Sequence, residues 1–178
     1  MRDVLAVHDA WRAEGLRVGR AVLVRAHGSS PRAEGATLLV AEDGRLAGSV
    51  SGGGVEAAAA QEVQAAIADG HSRLIRYGIS DETAWGVGLA CGGVIDVLVQ
   101  PRVDDALTAA AASGEPVAVV VELPAVDSAA APREPLVVRP DGSGGSAGTA
   151  RRAASERRAV DLSRVALELL ERGESGII

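Results

Sequence analysis

The chain has 178 residues, 47% of them hydrophobic and 24% charged, a length that one core or two joined half-domains can fill while burying roughly 70% of the unfolded surface. That composition lies in the globular range and argues against a wholly disordered chain. All 18 basic residues are arginine, which excludes a Walker A lysine, a Schiff-base lysine and a pyridoxal-phosphate enzyme. A net charge of −6 and the near-absence of aromatics, with Trp11, Trp85 and Tyr77 but no phenylalanine, argue against nucleic acid as a partner.

The lone cysteine, Cys91, excludes an internal disulfide and a cysteine-rich zinc site, and His8, His27 and His71 have no metal-ligand spacing. No apolar run approaches the ~20 residues that span a bilayer, and the N-terminus reads as an amphipathic stretch and not as a signal peptide. A cytoplasmic protein is expected.

In chain order, residues 3–15 read as a helix with Asp3 as cap, Val4, Leu5, His8, Trp11 and Arg12 on one side, and Gly15 as stop. Residues 17–26 alternate as a strand, and 27–35 hold Ser29, Ser30, Pro31 and Arg32 in a loop. Residues 36–41 and 46–50 form a hairpin about the Asp43-Gly44 turn. After Ser51 and the glycines 52–54 comes an alanine-rich helix over 55–69, stopped by Gly70. Residues 74–77 and 94–100 read as strands, and the connection 78–93 holds Asp81, Glu82, Trp85 and several glycines, with a short helical turn expected near 81–85.

The rest repeats the first half in outline: a helix over 103–113, strands at 117–123 and 136–139, an Asp141-Gly142 turn, a low-complexity loop at 142–149 and a helix over about 150–171. Gly15 matches Gly114, Leu38–Val40 match Leu136–Val138, and Asp43-Gly44 matches Asp141-Gly142. The expected fold is therefore α/β, a mixed sheet with flanking helices built from two pseudo-repeated halves. Residues 1–101 form the motif-bearing half. Residues 102–178 form a degenerate half packed on it as one compact unit, having lost the serine-proline-arginine loop and the triple glycine.

Several constellations can carry chemistry. The amides of Gly52, Gly53 and Gly54, at the start of a helix, can receive phosphate oxygens, or the glycines simply make a sharp turn. Gly52, Gly54 and Ala57 satisfy a loose G-x-G-x-x-A pattern, but the strand before them comes from a hairpin and no ribose-binding acid follows the next strand. Glu56 either caps backbone amides or binds a donor-rich ring edge. Arg32 has the fork that grips phosphate, with a surface arginine as the plain alternative. Cys91, between Gly88 and Gly92-Gly93, is either a thiol beside free amides or a small buried hydrophobe. Asp81, Glu82 and Trp85 suit a heterocycle's donors and face, or else cap a short helix. The serines of Gly48-Ser49-Val50-Ser51-Gly52 flank the central position of a nucleophile elbow, so a hydrolase triad has no support.

Together, residues 28–32 (GSSPR), 48–56 (GSVSGGGVE), 77–85 (YGISDETAW) and 88–93 (GLACGG) resemble the motif set of the XdhC/CoxI family, in order and spacing, over residues 10–101. The family's proteins are accessory factors of molybdenum hydroxylases such as xanthine dehydrogenase and CO dehydrogenase. They bind the molybdenum cofactor, protect it during sulfuration and hand it to the apoenzyme, a role that requires no turnover.

The resemblance implies cofactor binding, as molybdopterin or its cytosine dinucleotide, by Ser29, Ser30, Arg32, Ser51, Gly52, Gly53, Gly54, Glu56, Asp81, Glu82, Gly92 and Gly93, with Cys91 at the metal. It implies an apo molybdenum hydroxylase as partner, together with a separate Rossmann-type polypeptide or a cysteine desulfurase, and a homodimer. The chain departs from the family at Gly54, where a cysteine is usual, and it ends without the C-terminal Rossmann-type domain of many members. The rival readings are a nucleotide or NADP enzyme using the glycine loop and Arg76, and a protein-only assembly factor.

Overall fold

The computed structural model describes residues 1–28, 30–78, 93–131, 135–141, 143–145 and 156–172. They divide into two units, Met1–Val103 with Leu123–Pro132, and Asp104–Glu122 with Arg133–Ile178.

In the first unit a 3-10 turn over Arg2–Val4 leads into α1, Leu5–Ala13. Asp3 does not cap α1, because the chain spends that residue inside the preceding turn and Val4 takes the N-cap without a side-chain bond. Val4, His8 and Trp11 form its buried side. Five strands follow the expected order: β1 Val18–His27, β2 Thr37–Ala41, β3 Leu46–Gly48, β4 Ser72–Tyr77 and β5 Val94–Gln100. The α2 helix, Glu56–Asp69, joins β3 to β4 and ends on Gly70, whose left-handed φ of 77° and N–H to the Ala66 carbonyl close the last turn.

The sheet order is β3-β2-β1-β5-β4-β7, where β7 is the pair Ala129–Ala130. The α/β reading with flanking helices holds, and every pairing between named strands is antiparallel, with one parallel bridge at Leu74 and Val126. β3 is shorter than expected, because Gly48 turns to φ +88° and ends the ladder. β4 begins two residues earlier than expected.

The core lies between α2 and one sheet face. Ala59, Val63, Ala66 and Ile67 recur at helical spacing and meet Ala21, Leu23, Leu38, Val40, Ile95, Val97 and Val99. Each fully buried Val, Leu or Ile contributes about 1.5–3 kcal/mol over exposure. The contact is close enough that a Cβ on Gly19 would stand 2.6 Å from Val63 Cγ1 and 2.8 Å from the Gln100 carbonyl. Within this core the Tyr77 hydroxyl is buried with no hydrogen-bond partner among the described residues, and burial pushes its pKa up.

The second unit holds α3 Asp105–Ser113, β6 Ala118–Val120, β8 Leu136–Val138, β9 Gly144–Gly145 and α4 Glu156–Arg172. Its three strands run in the order β6-β8-β9. Asp104 caps α3 through the Ala106 N–H at 2.9 Å.

The strand registers carry the internal repeat. Arg20 pairs with Leu39 as Val119 pairs with Val137, and Leu39 pairs with Ala47 as Val137 pairs with Gly145. Even the turn bonds recur, with Ala41 N–H to Arg45 O at 3.0 Å and Arg139 N–H to Ser143 O at 2.8 Å. The segment expected as a low-complexity loop therefore contains a strand at Gly144–Gly145, the counterpart of β3. Among the described residues, no helix is long and apolar enough to cross a membrane.

Candidate functional site

Antiparallel pairing gathers the motif loops. β1 and β4 finish at His27 and Tyr77, β5 begins beside both at Val94, β2 begins at Thr37 and β3 finishes at Gly48. The loops 28–36 and 49–55 and both ends of the 78–93 connection therefore leave the same end of one sheet, where α2 also begins. Gly93 stands there beside Val94. Ser29, Asp81, Glu82, Cys91 and Gly92, and the helical turn expected near 81–85, lie outside the described residues.

Loop 28–36 is closed by its own backbone and one acid. Leu23 N–H meets Ala36 O at 2.9 Å, Gly35 N–H meets Leu23 O at 2.7 Å, and the Glu34 carboxylate accepts from Ala26 N–H at 3.1 Å. Ser30 donates its hydroxyl to the Arg32 carbonyl at 2.9 Å. Arg32 lies in the wall of a cleft of ≈ 380 Å³ with Pro31, Glu34, Thr37, Gly48 and Val4. The two motif loops touch, since a Cβ on Gly52 would stand 3.3 Å from Pro31 Cγ.

The loop 49–55 folds around its own anion. Glu56 Oε1 accepts from Ser49 Oγ at 2.6 Å, Val50 N–H at 3.2 Å and Ser51 N–H at 2.9 Å. Its Oε2 accepts from Ser51 Oγ at 2.7 Å and Gly53 N–H at 2.9 Å. The two serine oxygens take the rest, Ser49 from Gly52 N–H and Ser51 from Gly54 and Val55 N–H, at 2.9–3.0 Å. Partial burial pushes the Glu56 carboxyl up, but the bonds from Ser49 and Ser51 outweigh it and bring it down to about 2. Glu56 thus caps amides, the plainer of its two sequence readings, and occupies the donors that a phosphate at Gly52–Gly54 would use.

A second cluster was not singled out as a site from the sequence. Asp96 on β5, with its side chain 4% exposed, accepts from Arg76 Nε at 2.6 Å and Nη2 at 2.9 Å and meets His27 Nε2 at 3.2 Å. The Arg76 guanidinium holds the Asp96 carboxyl below its ordinary range, with His27 helping against the opposing pull of burial. The signal was one acid in the apolar strand VIDVLVQ. The antiparallel pairings among the described residues provide no parallel βαβ unit beneath the glycine loop, which an NADP reading needs. Among the described residues, no three His, Cys, Asp or Glu side chains converge to hold a metal.

With this geometry in place, the motif-bearing part of the chain is placed by comparison. Residues 11–78 match the model of the XdhC and CoxI family, so the resemblance read from the motifs is borne out over that region. The matched span ends before Cys91. A stretch of 74 residues is 47% identical to the molybdenum cofactor insertion chaperone PaoD of Escherichia coli (strain K12), covering 41% of this chain and 23% of that protein. Another of 79 residues is 38% identical to a probable xanthine dehydrogenase subunit of Bacillus subtilis (strain 168), covering 43% and 24%. Each match thus spans about a quarter of the relative's length. A crystal structure described as a xanthine dehydrogenase from Bacillus halodurans superposes with a TM-score of 0.64 at 25% identity, covering 86% of this chain and 47% of that one.

Proposed function

We propose that the first unit is the cofactor-holding part of a molybdenum-cofactor chaperone, which shields the cofactor and delivers it to a molybdenum hydroxylase of the xanthine dehydrogenase or CO dehydrogenase type. One observation carries the reading: the motif loops 28–36 and 49–55, distant in sequence, leave the same sheet end as the ends of the 78–93 connection, and the first of them lines a cleft. The names of the two relatives, each matched over part of the chain, point to the same cargo and client.

In this reading the cofactor is cargo. Arg32 meets it from the cleft wall, and Ser29 and Ser30, which precede Arg32 in the same loop, add hydroxyl donors. Asp81 and Glu82 take the pterin donors, Gly92 and Gly93 let it approach the backbone, and the Cys91 thiol faces molybdenum, a soft ligand for the metal. Ser51, Gly52, Gly53, Gly54 and Glu56 supply a fixed wall, since the loop's amides are already bonded within it. With glycine at position 54, Cys91 is the single thiol available.

The test is retention. The full chain is incubated with released cofactor and desalted, and molybdenum and pterin are assayed before the loaded protein is offered to apo-hydroxylase. The parent retains both and restores activity. Cys91→Ala loses about ten-fold or more of the retained molybdenum, and Arg32→Ala releases the whole cofactor more readily. A parent that retains neither molybdenum nor pterin would sink the reading.

A further inference from the structure

The face of the six-stranded sheet opposite α2 carries a group of cations that the proposed cargo site leaves unused. Arg25 on β1 and Arg76 on β4 both pair directly across from Asp96 of β5. The three side chains therefore leave one face at one level, with the arginine Cα atoms about 10 Å apart across two strand spacings. A register irregularity between Leu23 and Arg25 produces this arrangement. It leaves Leu23 in the α2 core while Arg25 and the residue two further on, His27, join Asp96.

Asp96 lies beneath and fixes its neighbours. The Arg76 side chain, 47% exposed, is gripped through Nε and Nη2, so its Nη1 group projects from an anchored guanidinium. The His27 side chain, 40% exposed, is held through Nε2, which leaves Nδ1 outward. Arg25 is exposed and has no hydrogen-bond or ion-pair partner among the described residues. The other acid acting on Arg76, Asp127, is tied by its N–H to the Leu74 carbonyl at 2.8 Å on the outer edge of β4, away from β1.

We propose that Arg25, His27 and Arg76, standing over the buried Asp96, bind a phosphoryl group. Two guanidinium groups offer several N–H donors to three terminal oxygens, a match that a single carboxylate does not use fully, and the His27 ring borders them. The site stands at the motif end of the sheet, because His27 precedes Gly28 and pairs with Val94 beside Gly93. The phosphoryl group therefore comes either from the tail of the cargo, an assignment that rests on the proposed chaperone function, or from free phosphate.

The experiment titrates inorganic pyrophosphate into the full chain and follows the Arg Nε–H and His27 ring signals by NMR. The parent is expected to show saturable shifts at Arg76 and His27. Arg25→Gln, which breaks no internal bond, should weaken binding by about ten-fold, and Arg102→Gln should leave it unchanged. No saturable shift in the parent, or equal binding by Arg25→Gln, would overturn the site. Released molybdenum cofactor is then added as competitor. Displacement of pyrophosphate assigns the site to the cargo's tail, and its absence, in a protein that still retains cofactor, overturns that assignment in favour of free phosphate. A protein that binds pyrophosphate but retains no cofactor would keep this site and remove the chaperone reading.

Discussion

Replacing Glu56 with alanine is expected to destabilise the first unit by about 2–3 kcal/mol. The carboxylate accepts five hydrogen bonds from Ser49, Val50, Ser51 and Gly53, and alanine leaves those donors to whatever water reaches a half-buried loop. Glu56→Gln should cost less, because its carbonyl can replace Oε1 while its amide opposes the donors that now serve Oε2. Acid separates the three proteins. With a folded-state pKa of about 2 against an unfolded value near 4.3, the carboxylate's contribution is complete above about pH 4.5. It is lost as pH falls through about 2. Screening at a partly exposed site reduces the pH-dependent part to about 1–2 kcal/mol. Denaturant midpoints measured from neutral pH down to pH 2 should show the parent's advantage over Glu56→Gln shrinking across that window; a constant difference would contradict the assignment.

Gly48→Ala is expected to be the most damaging single methyl in the first unit. Gly48 holds φ +88°, and its Cβ would fall within the van der Waals envelope of the Thr37 carbonyl oxygen and 3.0 Å from Val4 Cγ1. Backbone strain of about 1–2 kcal/mol adds to an overlap with main-chain atoms that cannot move without breaking the β2–β3 ladder. A total of about 3 kcal/mol lowers the melting midpoint by about 6–12 °C. Gly44 is the control. It holds a similar φ of +93°, but its added Cβ meets only the Gln64 side chain, at 3.6 Å. Gly44→Ala should therefore cost the strain alone, and thermal unfolding of the two variants should differ by a factor of about two in ΔΔG. Equal losses would mean that the close approach at Thr37 is not limiting.

The regular elements of the first unit were legible because each carried a local signal. β5 shows a run of β-branched residues ended by Pro101, α2 runs from the glycine loop to Gly70, and the first hairpin turns on Asp43-Gly44. The repeat was legible from its spacing, and the registers reproduce it pair by pair. The shifted phase of β1 was hidden, because the irregularity at Leu23–Arg25 depends on β5 and leaves no mark in the alternation of RVGRAVLVRA. With it went the meeting of Arg25, His27, Arg76 and Asp96. β7 and β9, Ala129–Ala130 and Gly144–Gly145, have no pattern of their own and exist only through their partners β4 and β8. The glycine loop was found, but the sequence left its occupant open, because whether Glu56 turns back onto the loop depends on the placement of Ser49 and Ser51 by the hairpin.

The most direct measurement of the central claim is amide hydrogen exchange of the full chain with and without released molybdenum cofactor, resolved by segment. The account predicts slowed exchange in residues 28–36 and 78–93, a smaller change in 49–55, where the amides are already bonded, and none in α3 or β6. Protection confined to the second unit, or the absence of any cofactor-dependent change at the motif end of the six-stranded sheet, would contradict it.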